Sequence, residues 1–239
     1  MSSLAPLRHH TLDELFELCN RGFGASTGYM EEQRGNWSHL VASAGRMSHR
    51  VLELSALSGS ELPALIGFLK TTPVLGFDYV SVHGPAKGWS GSSAELAARL
   101  RSDLPAYIDA VVLHPDSLED VAPFVVLGDL PILENMDAFK PSARSVEELR
   151  PYFETLPKAG FCFDIAHARM NDPSMELGHE LVEAFGDRLR EVHLSSITDD
   201  GRHVPLTQAD VEAFWPVLER CREVPWVLEA ELPRDQKIA

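Results

Sequence analysis

The chain has 239 residues, 44% of them hydrophobic and 24% charged, a balance that suits a soluble globular protein with a sizeable core. Its 21 Lys and Arg against 36 Asp and Glu leave a net charge of −15, and no basic stripe interrupts it, which weighs against a nucleic-acid partner. A local cationic pocket or a bound metal can still draw in one small anion.

No apolar run approaches the roughly 20 residues that span a bilayer. The start MSSLAPLRHH lacks the apolar core of a signal peptide, so no membrane partner and a cytoplasmic location are expected. Cys19, Cys162 and Cys221 are odd in number and form no CxxC pair, which predicts buried small hydrophobes rather than disulfides or a zinc knuckle. The absence of a long linker or low-complexity tract predicts one domain over residues 1–239.

In chain order, Leu12, Leu15, Phe16 and Cys19 fall at helical spacing behind a Thr11/Glu14 capping-box pattern. A first strand is expected in GFGASTGYM, then a helix from Trp37 to Met47, a strand over 50–57 and a helix opening at Ser60 and Glu61. The alternation continues with strand 79–85, helix 92–104, strand 110–116 and a short helical link over 120–128. Strand 130–137, helix 145–156 and the run FCFDIAHA (161–168) follow. Last come helix 175–186, strand 189–196, helix 207–221 and strand 224–232. About eight strand–helix units with right-handed crossovers predict an α/β fold, a closed (β/α)8 barrel, with a doubly wound open sheet as the competing topology.

Five consecutive strands end in a ligand-type residue: His83, His114, Glu134, Asp164 and His193, and the last strand supplies Glu229. In a parallel barrel these ends converge on the C-terminal face, where active sites of this architecture are built. A ring of carboxylates is costly to bury without a cation, so the pattern predicts metal binding. His167 in the turn after Asp164 and His203 in DDGRHVPL extend the set beyond the capacity of one four-coordinate zinc, which points to two or three ions. Asp199 or Asp200 offers a further ligand beside His203, with a surface turn as the competing role. His9, His10, His39, His49 and His179 fall outside the pattern and read as surface or helix residues. Lys87 and Arg169, just past strand ends, are candidate contacts for a substrate anion, and Asn135 for orienting Glu134 or binding substrate. Glu53 alternates with Val51 and Ser55 in a way that can turn it inward, but it is left off the ligand set, and Trp89 is a candidate cover for the pocket.

The ordered series HGP, LHPD, LENMD, FDIAHA, VHLSS, GRH and VLEAE resembles the xylose-isomerase-like TIM-barrel superfamily (AP endonuclease family 2) from about residue 50 onward. Its histidine complement is most similar to the endonuclease IV branch. The resemblance implies metal positions at His83, His114, Glu134, Asp164, His167, His193, His203 and Glu229, with Glu134 bridging two ions. Two departures stand out. The branch has an aspartate two residues before the position of His203, where this chain has Gly201, with Asp200 one residue further away. The basic DNA-contacting loops of that branch are also missing.

The ring supports more than one chemistry. Several zinc, manganese or iron ions suit hydrolysis of a small phosphoester, in which cations acidify a water and stabilise the leaving oxygen. A single ion held by Glu134, Asp164, His193 and Glu229 suits a sugar or sugar-phosphate isomerase or epimerase, with Glu134 and Glu229 moving protons at carbon. A multinuclear iron oxidase and a non-catalytic metal- or ligand-binding barrel are the remaining readings. The extra histidines favour the hydrolase, acting on a small anionic or sugar-like substrate.

Overall fold

Short β-branched and apolar runs form the strands of the protein, a computed structural model that describes residues 9–72 and 75–232. The N-terminal stretch MSSLAPLRHH, where no signal peptide is expected, lies largely outside those residues. Among the described residues ten strands follow in sequence: β1 (Phe23–Ser26), β2 (Val51–Ser55), β3 (Tyr79–His83), β4 (Ala110–Leu113), β5 (Pro131–Glu134), β6 (Gly160–Asp164), β7 (Leu189–Leu194), β8 (Ser196–Ile197), β9 (His203–Val204) and β10 (Trp226–Leu228). Strands β1 to β7 and β10 pair in parallel around a closed barrel, β1 meeting both β2 and β10. This is the predicted (β/α)8 barrel. Closure at β1 needs Gly24, because a Cβ there would lie 1.7 Å from the Val51 carbonyl oxygen.

The helices are α1 (Leu12–Glu17), α2 (Trp37–Met47), α3 (Leu62–Thr71), α4 (Ser93–Asp103), α5 (Val146–Thr155), α6 (Ile165–Asn171), α7 (Glu176–Phe185) and α8 (Gln208–Leu218). Reciprocal capping boxes start three of them: Thr11 with Glu14, Ser92 with Glu95, and Thr207 with Asp210. Each helix lays an apolar stripe on the outside of the barrel, as Leu65 and Leu69 do on α3 and Leu181 and Phe185 on α7. The main core therefore lies between strands and helices. A second, small apolar cluster of Ala110, Val112, Ile132 and Cys162 fills the barrel interior.

Three local readings change. The link between β4 and β5 is a 3₁₀ turn over Ala122–Leu127, and it leaves Val125 and Val126 exposed. The last strand stops at Leu228, so Glu229 sits just past its end, with its N–H donated to the Leu194 carbonyl at 3.2 Å. His167 lies in a helix rather than a turn: Asp164 caps α6 by accepting the His167 N–H at 2.7 Å. All three cysteines are buried and free, as expected.

Candidate metal centre

Because side chains on a strand alternate, the polar side chains turned into the barrel include Glu53 and Ser55 on β2, Ser81 and His83 on β3, Glu134 on β5, Asp164 on β6, and Glu191 and His193 on β7. The ends of β3 to β7 and β10 thus bring His83, His114, Glu134, Asp164, His193 and Glu229 together, with His167 added from α6 and His203 from β9. The cavity above them, about 560 Å³, is lined by His83, His114, Glu134, His167, His203 and Glu229 among others.

Glu134 is the hub. It is 1% exposed, and its Oε2 lies 3.1 Å from His114 Nε2, 3.4 Å from His83 Nε2 and 3.7 Å from His193 Nδ1. Its Oε1 lies 3.3 Å from His167 Nδ1. On the far side, His193 Nδ1 is 3.4 Å from Glu229 Oε1, and Glu229 Oε2 is 3.3 Å from His203 Nδ1. Three donor groups recur here: His83 with His114 and Glu134, Asp164 with His193 and Glu229, and Asp164 with His167 and His203, each with one atom per residue within 4.8 Å of the others.

Whether a cation fits is answered by the polar atoms left over. Glu134 Oε2, His114 Nδ1, Asp164 Oδ2, His193 Nδ1 and Glu229 Oε2 are all buried without a hydrogen-bond partner. Such atoms are expensive to leave unsatisfied, and a bound divalent cation would satisfy the oxygens and the inward nitrogen together. Electrostatics agree. Burial and the neighbouring Asp164, Glu134 and Glu53 push the Glu229 carboxyl well above its usual range, although His193 opposes them. Burial also opposes the charged form of Glu134, but the surrounding imidazoles of His114 and His193 outweigh it and hold that carboxyl well below the usual range. Burial lowers His114. The donor set, imidazole plus carboxylate, suits zinc, manganese or iron.

His193 has a built support that the sequence did not reveal. Its Nε2 lies 2.9 Å from Glu191 Oε1 and 3.1 Å from Glu53 Oε2, both residues fully buried. That leaves Nδ1 to face the cavity. Glu53 accepts from the Ser26 and Ser55 hydroxyls at 2.6 and 2.9 Å, and Glu191 accepts from the Tyr79 hydroxyl at 2.7 Å. Burial works against ionised Glu53, yet His193, His83 and Ser26 outweigh it and bring its carboxyl down to about 2. Glu53 thus points inward, below the ring rather than in it. The cue for Glu191 was its spacing of two from His193 on one strand.

The other candidates divide. Lys87 lines the cavity rim. Asn135 does not reach the cavity: it is fully buried and braces β5 to β6, donating to the Asp164 carbonyl at 2.8 Å and accepting the Asp164 N–H at 2.9 Å. Arg169 is turned away, its guanidinium donating to the Pro173 carbonyl. Trp89 lies over a neighbouring crevice, its indole N–H donating to the Ser92 carbonyl at 3.1 Å. Asp200 is exposed and engaged by Thr198 and Arg202. Lys140 and Arg202, which sequence reasoning passed over, line the rim beside Lys87. His9 pairs with Glu212 on the surface and His10 stacks on Trp215, away from the site.

No protein-family model matches the sequence, and no curated protein matches it. Among solved structures it is similar to endonuclease IV from Thermus thermophilus, with 20% identity over 89% of this chain and 93% of that one and a TM-score of 0.58. It is also similar to 3-keto-D-glucoside 4-epimerase from E. coli, with 15% identity, coverage of 90% and 93%, and a TM-score of 0.53. L-ribulose 3-epimerase matches at 13% identity and a TM-score of 0.51, with 89% of this chain and 79% of that one covered. What these share with the chain at such identities is architecture. The chain thus has the closed parallel (β/α)8 barrel fold that it shares with endonuclease IV and with these sugar epimerases.

Proposed function

We propose that this protein is a metal-dependent barrel enzyme that holds two or three divalent cations and hydrolyses a small phosphoester. The observation that carries this reading is the division of labour at Glu134, whose Oε2 faces His83 and His114 while Oε1 faces His167. A carboxylate so placed suits a bridge between cations. Metal ions held close together supply an acidified water and stabilise the entering and leaving oxygens of a phosphoryl centre. His83 and His114 would anchor the outer ion. Asp164, His193 and Glu229 would hold the inner one. Lys87, which lines the cavity, is the candidate contact for an anionic substrate.

The contrast between Glu134, held charged, and Glu229, pushed toward its neutral form, favours a second reading. Carboxyl groups driven apart in this way suit proton transfer at adjacent carbons of a sugar, with one ion held by Glu134, Asp164, His193 and Glu229.

Metal analysis of protein purified without chelator, followed by turnover on phosphoester and sugar panels, separates the two. Two or three equivalents, reduced in Glu134→Gln, with phosphoester turnover are the expected result. One equivalent with sugar epimerisation would establish the second reading, and no metal under any reconstitution condition would overturn both.

A further inference from the structure

We infer that the substrate carries a planar aromatic group, an aryl or nucleobase ring, and that Phe139 at the lip of the cavity is the platform on which this group stacks. This rests on the phosphoester reading above and names the part of the substrate that the cations do not touch.

Among the described residues, three large apolar side chains are exposed: Val125, Val126 and Phe139. The two valines lie on the 3₁₀ turn that leads into the N-terminal end of β5. Phe139 follows the C-terminal end of the same strand, on the face where the candidate metal ligands converge, and it is the most exposed of the three at 65%. Leaving so much apolar surface in water is unfavourable, and a ligand that covers it recovers the difference.

The ring is held in place. The Phe139 N–H donates to Asp137 Oδ1 at 2.7 Å and the Lys140 N–H to the Asp137 carbonyl at 3.1 Å, which closes a tight turn around it. Gly201, between β8 and β9, has φ 81°, and a Cβ there would lie 3.1 and 3.2 Å from Cδ2 and Cε2 of the ring. Glycine thus lets one edge of the ring rest on that turn, while the faces stay open to a ligand. Asp137, Lys140 and Gly201 all line the cavity, so the ring stands among residues of its wall. Gly201 precedes His203 by two residues, at most about 7 Å of chain, so one small molecule can span the ring and the metal ligands. The opposite side of the mouth is aromatic too. Strands β1 and β5 are four places apart either way round the eight-stranded barrel, and Tyr29, just after β1, lines the cavity.

A planar group suits this lip better than a sugar does. Sugar hydroxyls need acceptors, and the carboxylates on these two turns are already committed. Asp137 accepts the Phe139 N–H through Oδ1 and turns Oδ2 toward His167 Nε2 at 3.9 Å, and Asp200 is engaged by the Thr198 hydroxyl and Arg202. An aromatic or heteroaromatic ring asks instead for a stacking surface. A mononucleotide belongs to this class; a polynucleotide is disfavoured by the net charge of −15.

The test measures binding of three probes to the full, zinc-loaded chain by calorimetry: methylphosphonate, phenylphosphonate and adenosine 5′-monophosphate. Phe139→Ala is expected to weaken phenylphosphonate about three- to tenfold while methylphosphonate, too short to reach the ring, changes less than twofold. Phe139→Tyr, which keeps a stacking face, restores the difference. An equal loss for the nucleotide extends the platform to nucleobases, and a loss for phenylphosphonate alone restricts it to aryl esters. Unchanged affinity for both aromatic probes in Phe139→Ala would overturn the inference while leaving the Glu134 reading intact. Conversion of a wild-type dimer to a monomer by Phe139→Ala, with probe affinities unchanged, would assign the ring to a self-contact and overturn it equally. A zinc-loaded wild type that binds no phosphonate and turns over no phosphoester would instead overturn the reading on which this one rests.

Discussion

Removing the Glu191 side chain tests how the barrel interior holds His193. In Glu191→Leu the His193 Nε2–H loses its acceptor at 2.9 Å and the Tyr79 hydroxyl loses its own at 2.7 Å. Hydrogen bonds to a charged acceptor contribute about 1.5–3 kcal/mol each. The full loss is not expected at His193, because Glu53 Oε2 already lies 3.1 Å from the same nitrogen and can take over its proton. Groups that orient a metal-bound imidazole typically account for about 10–100-fold in affinity, or about 1.4–2.7 kcal/mol. Glu191→Leu alone therefore belongs near the tenfold end, and Glu191→Leu combined with Glu53→Leu near the hundredfold end. Glu191→Gln, which still offers an oxygen to His193, is expected to stay within a few-fold of wild type. Competition titration against a fluorescent chelator measures the affinities, and nitrogen-15 NMR of the His193 ring reports which nitrogen carries the proton. Wild-type affinity in the double variant, with the proton still on Nε2, would show that these two acids do not orient the ring.

Two further outcomes are expected. Lys140→Ala, which removes a rim cation, raises KM for an anionic substrate about tenfold with little change in kcat, and leaves a neutral analogue unaffected; steady-state kinetics check it. Arg34 ties the start of the barrel together, donating to Glu61 at 2.6 and 2.9 Å and to the Thr27 and Ser55 carbonyls at 3.1 and 2.8 Å, so Arg34→Ala costs about 2–3 kcal/mol in urea unfolding. Burial opposes the charge on Glu61, but Arg34 outweighs it and lowers that carboxyl below its usual value of 4.5, so the pair's contribution is complete above that pH and fades as pH falls through the folded-state value. The stability gap between wild type and Arg34→Ala is therefore expected to narrow in acid.

Residue order alone was enough for the barrel and most of the ring. Apolar runs alternating with capped helices leave little choice of topology, and parallel strands joined by right-handed crossovers carry every strand end to one face. A polar residue closing each run, His83, Glu134 or Asp164, is legible because it recurs at the same place in successive strand–helix units. Which polar side chains inside the runs meet one another was settled only in three dimensions. Both faces of a barrel strand are covered, so alternation alone does not separate interior from exterior, and Glu191 carried no cue beyond its spacing of two from His193 on β7. Asn135 and Arg169 stand beside predicted ligands in sequence but were sent elsewhere by the side chain's direction from a backbone whose path is set by distant contacts. Asp137 is the converse case. Its nearness to His167 comes from the loop after β5 meeting α6, a contact between segments that no local spacing encodes.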